Sequence, residues 1–119
     1  MAARNFVLAL VSAVLALAAS TPARADIDGK EFYNLRCATC HGTQGQGTKH
    51  IVPALAPALK GNPFITQGSD AAIRNVIRKG RAGAQRLYND TYPNMPAFGP
   101  EAVPDVAAVI AYMKGELQR

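Results

Sequence analysis

The order of apolar and polar positions divides the chain into a leader and a helical body. Phe6 to Ala19 is an apolar run broken only by Ser12. Farther on, Ile73, Val76 and Ile77 recur at helical spacing between Ser69, a side chain suited to an N-cap, and Gly80, which ends the run. Asp70 follows the cap, where the helix dipole favours a negative charge. Val106, Val109, Ile110, Met113 and Leu117 give a final helix a continuous apolar face, with Pro104 placed for its first turn. Asp28-Gly29-Lys30-Glu31 has the spacing of a capped start. A helix over 29–40 then sets Gly29, Tyr33 and Cys37 on one face, four residues apart.

The segments between these helices are rich in breakers. Residues 42–68 hold five glycines and three prolines, which predicts a long irregular loop with a short helix near 54–59. Residues 80–102 form a second loop, centred on Tyr92-Pro93-Asn94-Met95-Pro96. No strand pattern, repeat or low-complexity tract interrupts this plan. The fold class is all-α, with three to five short helices and long loops. Loops this long in a compact domain need a reason, and wrapping a cofactor is one.

The first 25 residues read as a secretory signal peptide. Arg4 supplies a positive start, the run 6–19 an apolar centre, and Ala23-Arg24-Ala25 an A-x-A cleavage pattern. At about 14 residues the run is short of the ~20 that span a bilayer. The expected domains are a cleaved leader over 1–25 and one folded domain over 26–119. Removing Arg4 and Arg24 leaves 11 basic and 8 acidic residues, a net charge of +3. That suits docking onto an acidic protein surface and is too weak to argue for nucleic acid. With four Phe, four Tyr and no Trp in the chain, the core is poor in aromatic bulk. A domain this small buries only around 60–65% of its unfolded surface, so a large buried prosthetic group would help it.

The chemistry lies in Cys37-Ala38-Thr39-Cys40-His41, a C-x-x-C-H of the kind that attaches haem covalently. On one helical turn both thiols reach the vinyl groups of a single porphyrin, and the next residue, His41, lies under the ring. Three other readings compete. A thioredoxin-like pair needs a βαβ context, a zinc site needs four ligands, and a disulfide across two residues closes too small a loop to stabilise much. For a sixth iron ligand the mature chain offers Met95, Met113 and His50. Met113 lies on the apolar face of the last helix, and His50 is only nine residues past His41. Met95, far along the chain and stiffened by Pro96, is favoured; otherwise it is a gap-filling core methionine.

Over essentially its whole mature length the chain resembles a bacterial class I cytochrome c. The matching pieces come in family order: the helix with Gly29 and Tyr33, the C-x-x-C-H-G at 37–42, the P-x-L-x-G at 57–61, Asn94-Met95-Pro96-Ala97-Phe98-Gly99, and a closing helix with Tyr112. The resemblance implies a cytochrome c-like fold and one haem c bound through Cys37 and Cys40. It implies His41 and Met95 as the axial metal ligands, with Leu59 packed on the haem. Gly29 and Tyr33 would meet the last helix near Val109 and Tyr112. The Pro57 carbonyl would accept a hydrogen bond from the His41 ring. Proline recurs as Pro53-Ala-Leu55, so either proline is a candidate, and Gly61 favours Pro57. The 15 positions from Gly80 to Met95 are longer than in many relatives, so the loop from Gln85 to Asn94 is either a docking element or a surface insertion.

The function expected from this ligand set is one-electron transport in the periplasm, not catalysis, because His/Met ligation leaves no open iron position. The partners would be redox proteins: a dehydrogenase as donor, an oxidase or another cytochrome as acceptor. The chain would act as a free carrier or as the small subunit of a dehydrogenase. The alternative is a haem enzyme or gas sensor with a labile sixth ligand. Arg74, Arg78, Lys79, Arg81 and Arg86 form a basic run, either a docking or propionate-pairing face or simply the solvated side of a helix.

Overall fold

The computed structural model describes residues 28–87 and 92–119. The leader lies outside these residues, as does part of the loop between Gln85 and Asn94. Among the described residues five helices form: α1 (Gly29–Arg36), α2 (Ala38–His41), α3 (Pro63–Thr66), α4 (Asp70–Lys79) and α5 (Val106–Lys114). Short 3-10 turns follow at Gly83–Gln85 and Glu116–Gln118. Among the described residues the only extended pairing is an isolated antiparallel bridge between Arg81 and Met95. None of the described helices is long and apolar enough to cross a membrane.

Side-chain caps set where the longer helices begin. Asp28 accepts from the Lys30 amide at 3.2 Å, Ser69 from Ala72 at 3.1 Å and Asp105 from Ala108 at 3.0 Å. Pro104 therefore stands before the cap of α5, not in its first turn as the sequence suggests. The helix expected over 29–40 is divided at Cys37, whose φ of −110° departs from helical geometry. Its amide still bonds the Tyr33 carbonyl at 2.8 Å, and a fresh turn starts at Ala38.

The helix expected near 54–59 is absent, because its backbone groups are spent elsewhere. The amides of Leu55 and Ala56 both point at the Thr48 hydroxyl, and those of Leu59 and Lys60 at the Gly45 carbonyl. The helical turn comes later, at α3, where Asn62 caps and Pro63 fills the first position.

α1 and α5 cross closely. A Cβ on Gly29 would run into the Ala108 carbonyl, so only glycine permits this approach. The Tyr33 and Tyr112 rings meet beside the crossing at 5.3 Å between centroids. The core gathers Phe32 and Tyr33 from α1, Ile65 from α3, Ile73 and Ile77 from α4, and Val106, Val109, Ile110 and Met113 from α5. Each such side chain contributes about 1.5–3 kcal/mol by leaving water. The C-terminal turn fastens the first long loop: Gln118 accepts from the Gly61 amide at 2.7 Å and donates to the Leu59 carbonyl at 3.2 Å.

Candidate functional site

The turn at 37–41 brings two thiols and an imidazole to one cavity. The His41 amide bonds the Cys37 carbonyl at 2.9 Å, and Gly42, at a φ of +84°, ends the turn. Cys37, Cys40 and His41 all line a cavity of about 180 Å³ whose other walls include Pro57, Leu59, Ile65, Ile73, Ile77, Met95 and Phe98. The residues expected from the sequence to form the site thus meet in one place, although they span nearly sixty positions.

His41 donates from Nδ1 to the Pro57 carbonyl oxygen at 2.8 Å. A carbonyl only accepts, so the ring proton sits on Nδ1 and Nε2 keeps its lone pair. Burial lowers the pKa of the imidazole, and the Pro57 bond opposes this only in part, so the ring is a neutral donor. Pro53 is exposed, which decides between the two prolines.

Met95 is held by its backbone. Its amide donates to the Arg81 carbonyl at 3.0 Å, and its carbonyl accepts from the Arg81 amide at 2.9 Å. The chain passes here against Gly80, whose φ is +67°. A Cβ on Gly80 would strike the Met95 carbonyl and stand 2.8 Å from the Ala97 amide nitrogen. Phe98 anchors the far side of the segment, its amide donating to the Ile77 carbonyl at 2.9 Å.

The charged residues on the cavity wall are Arg36, Arg81 and Arg86, and no carboxylate lines it among the described residues. The Arg81 guanidinium lies 5.1 Å from the centre of the Phe64 ring, and Arg86 donates to Asn94 Oδ1 at 3.3 Å. The basic run seen in the sequence is therefore not one face. Arg74 and Lys79 are exposed, whereas Arg78 turns inward to donate to the carbonyls of Phe98 at 3.1 Å and Val103 at 2.8 Å.

The competing readings of the cysteine pair do not fit this geometry. Burial, and secondarily Cys40 beside it, pushes the Cys37 thiol up to about 11, whereas a reactive dithiol needs a lowered value. Among the described residues no group of three or more His, Cys, Asp or Glu gathers to hold a metal ion, so a zinc site lacks its ligands. His50 is exposed and does not line the cavity. Met113 is 3% exposed and belongs to the core, though it touches the cavity wall.

The donor set suits a haem. A bare imidazole nitrogen and a thioether are iron donors, two thiols stand beside them, and the walls are apolar. The guanidiniums offer partners for two propionates. Sequence reasoning missed Gly80 and Arg81, which hold the Met95 backbone, and Thr48, which binds the loop before Pro57. Their roles depend on contacts across the fold, and only the breaker at Gly80 left a local signal.

The cytochrome c family model matches residues 27–115. The cbb3-type cytochrome c oxidase subunit CcoP of Azospirillum brasilense is 34% identical over 71 residues, 59% of this chain and 24% of that protein. The subunit FixP of Azorhizobium caulinodans is 30% identical over 86 residues, 71% of this chain and 25% of that protein. The chain thus spans about a quarter of the length of these curated relatives. No solved structure matches it significantly. The chain belongs to the cytochrome c family, as an electron-carrying cytochrome whose haem c is bound covalently through Cys37 and Cys40.

Proposed function

We propose that the chain is an exported, periplasmic one-electron carrier in which His41 and Met95 would hold the haem iron. The observation that carries this reading is the meeting, in one apolar cavity, of the Pro57-bonded imidazole and the backbone-held Met95. Bound haem c supplies a centre that takes up and releases one electron. The rest is the chain's own work. Cys37 and Cys40 keep the group attached outside the cell. His41, donating to Pro57, gains basicity, while the soft Met95 thioether favours the reduced state. Arg81 and Arg86, on the cavity wall, would pair with the propionates, and Leu59 with the isoleucines of α3 and α4 would exclude water.

The signal-peptide pattern over 1–25 supports export, with the mature domain starting at Asp26. A periplasmic dehydrogenase as donor and a terminal oxidase or another cytochrome as acceptor fit the net positive charge. Resemblance to oxidase subunits supports that choice of acceptor. An enzyme or gas sensor needs an open iron and a distal acid–base group, and His50, exposed and away from the cavity, does not supply one.

The test is an absorption spectrum of periplasmically expressed protein, oxidised and reduced, with carbon monoxide added to the reduced form. A low-spin c-type spectrum with the weak far-red band of Met-ligated ferric haem, indifferent to carbon monoxide, is expected. A high-spin spectrum that shifts with carbon monoxide would overturn the reading.

A further inference from the structure

We propose that Thr48 is a positioning residue for His41, tuning the redox potential by holding the segment that carries the Pro57 carbonyl against the turn that carries the histidine. The inference rests on His41 being an iron ligand. Thr48 is buried, at 6% exposure. Its hydroxyl donates to the Cys40 carbonyl at 3.0 Å and accepts from the amides of Leu55 and Ala56, each at 2.9 Å. A hydroxyl has one proton and two lone pairs, so all three are used. The Ala56 carbonyl, 3.3 Å away, is the poorer candidate for that proton and already accepts from the Thr48 amide at 3.0 Å.

One side chain thus ties the residue before His41 to the two residues before Pro57. Pro57 needs such help, because proline has no N–H with which to anchor itself. Beyond it the chain is caught again where Leu59 donates to the Gly45 carbonyl at 2.8 Å. Gly47 completes the frame: its amide donates to the His41 carbonyl at 2.7 Å, and a Cβ there would stand 2.8 Å from the Pro57 carbonyl carbon. Without the Thr48 hydroxyl, one buried and two half-buried peptide groups lose this partner and the loop must shift to find others. Such a shift loosens the Nδ1–H···O bond, makes the imidazole a weaker donor and disfavours Fe(III), so the potential rises.

The test uses holo-protein with Thr48→Val and Thr48→Ser. Potentiometric titration of Thr48→Val should show a threefold to tenfold shift toward Fe(II), ~28–59 mV at 59 mV per tenfold for one electron. The His41 Nδ1 proton of the diamagnetic ferrous form should exchange faster by NMR. Thr48→Ser, which keeps the hydroxyl, should restore both values. Unchanged potential and exchange in Thr48→Val would overturn the proposal, as would equal shifts in the Val and Ser variants. If Thr48→Val does not mature, Thr48→Ala, which adds no methyl against the peptide groups, gives the same reading against Thr48→Ser. Failure of His41 ligation would instead appear in the wild-type protein, as loss of the low-spin spectrum.

Discussion

The two walls that carry the candidate iron ligands are built differently. Around His41 the chain is cross-tied: the ring bonds Pro57, the His41 carbonyl accepts from Gly47, and Thr48 and Gly45 hold the loop on either side of Pro57. Around Met95 the fastening is sparser, with the bonded pair to Arg81, close passage over Gly80 and the Phe98 anchor. The histidine side resembles a core, the methionine side an edge. Attachment and donor strength would be set on the first side, and ligand retention on the second.

The largest effect should come from contrasting the ligands themselves. His41→Ala, made where covalent attachment depends on Cys37 and Cys40, should yield little mature holo-protein. Met95→Ala should keep its haem, lose the far-red band, bind carbon monoxide and fall in potential. That fall should lie within the ~0.8 V span that axial ligands command. Equal loss of haem in both variants, read from pyridine haemochrome yield, would erase the distinction.

Next come the two glycines that let each wall close. Gly80 and Gly47 have φ of +67° and +74°, so alanine at either position is strained by about 1–3 kcal/mol before any clash. Gly80→Ala should also weaken the far-red band, because its Cβ meets the Met95 carbonyl. Gly47→Ala should lower the thermal midpoint comparably and leave that band intact. If both variants lose the band alike, the walls are mechanically one.

A smaller effect is expected at Arg81. Its backbone pairs with Met95 while its guanidinium stands on the cavity wall, so Arg81→Gln removes the charge and keeps the bridge. Fe(III) is then less disfavoured, and the potential should fall by on the order of 1 kcal/mol, more at low salt. A potential independent of this change would place the guanidinium wholly in solvent.

What the sequence made legible was local pattern, on both walls alike. The C-x-x-C-H spacing, the Ser69 cap, the stop at Gly80 and the apolar face of α5 are local patterns, and each holds in the structure. So does the Pro57 carbonyl, reached through resemblance. What escaped depends on distant partners. Residues 54–59 carry a helix-like sequence, yet their amides are taken by Thr48 and Gly45. The turn at α3 had a signal in Asn62-Pro63 that the neighbouring glycines obscured. The basic run looked uniform because charge is visible in sequence and burial is not; only the fold shows Arg78 turned inward. Gly80 announced a helix end, but not that Met95 would lie against it.

The smallest expected effect sharpens the comparison from the histidine side. The Tyr33 hydroxyl donates to the Gly42 carbonyl at 2.8 Å, just past His41, within a fully buried side chain. Tyr33→Phe removes this bond and should cost about 1 kcal/mol at pH 7. Burial, and secondarily Cys37 nearby, pushes the phenol well above its ordinary value of 10.0. The folded state therefore keeps the hydroxyl neutral, while an unfolded chain ionises it above that value. The contribution to stability is full below about pH 10 and is lost as pH rises further, so the wild-type advantage over Tyr33→Phe should shrink toward pH 11. Denaturation midpoints at both pH values measure this. The potential at pH 7 should not move, because Tyr33 holds the exit of the turn and not the segment bearing Pro57. A shift equal to that expected for Thr48→Val would mean that the histidine side responds to any loosening, and that no single hydroxyl governs the imidazole.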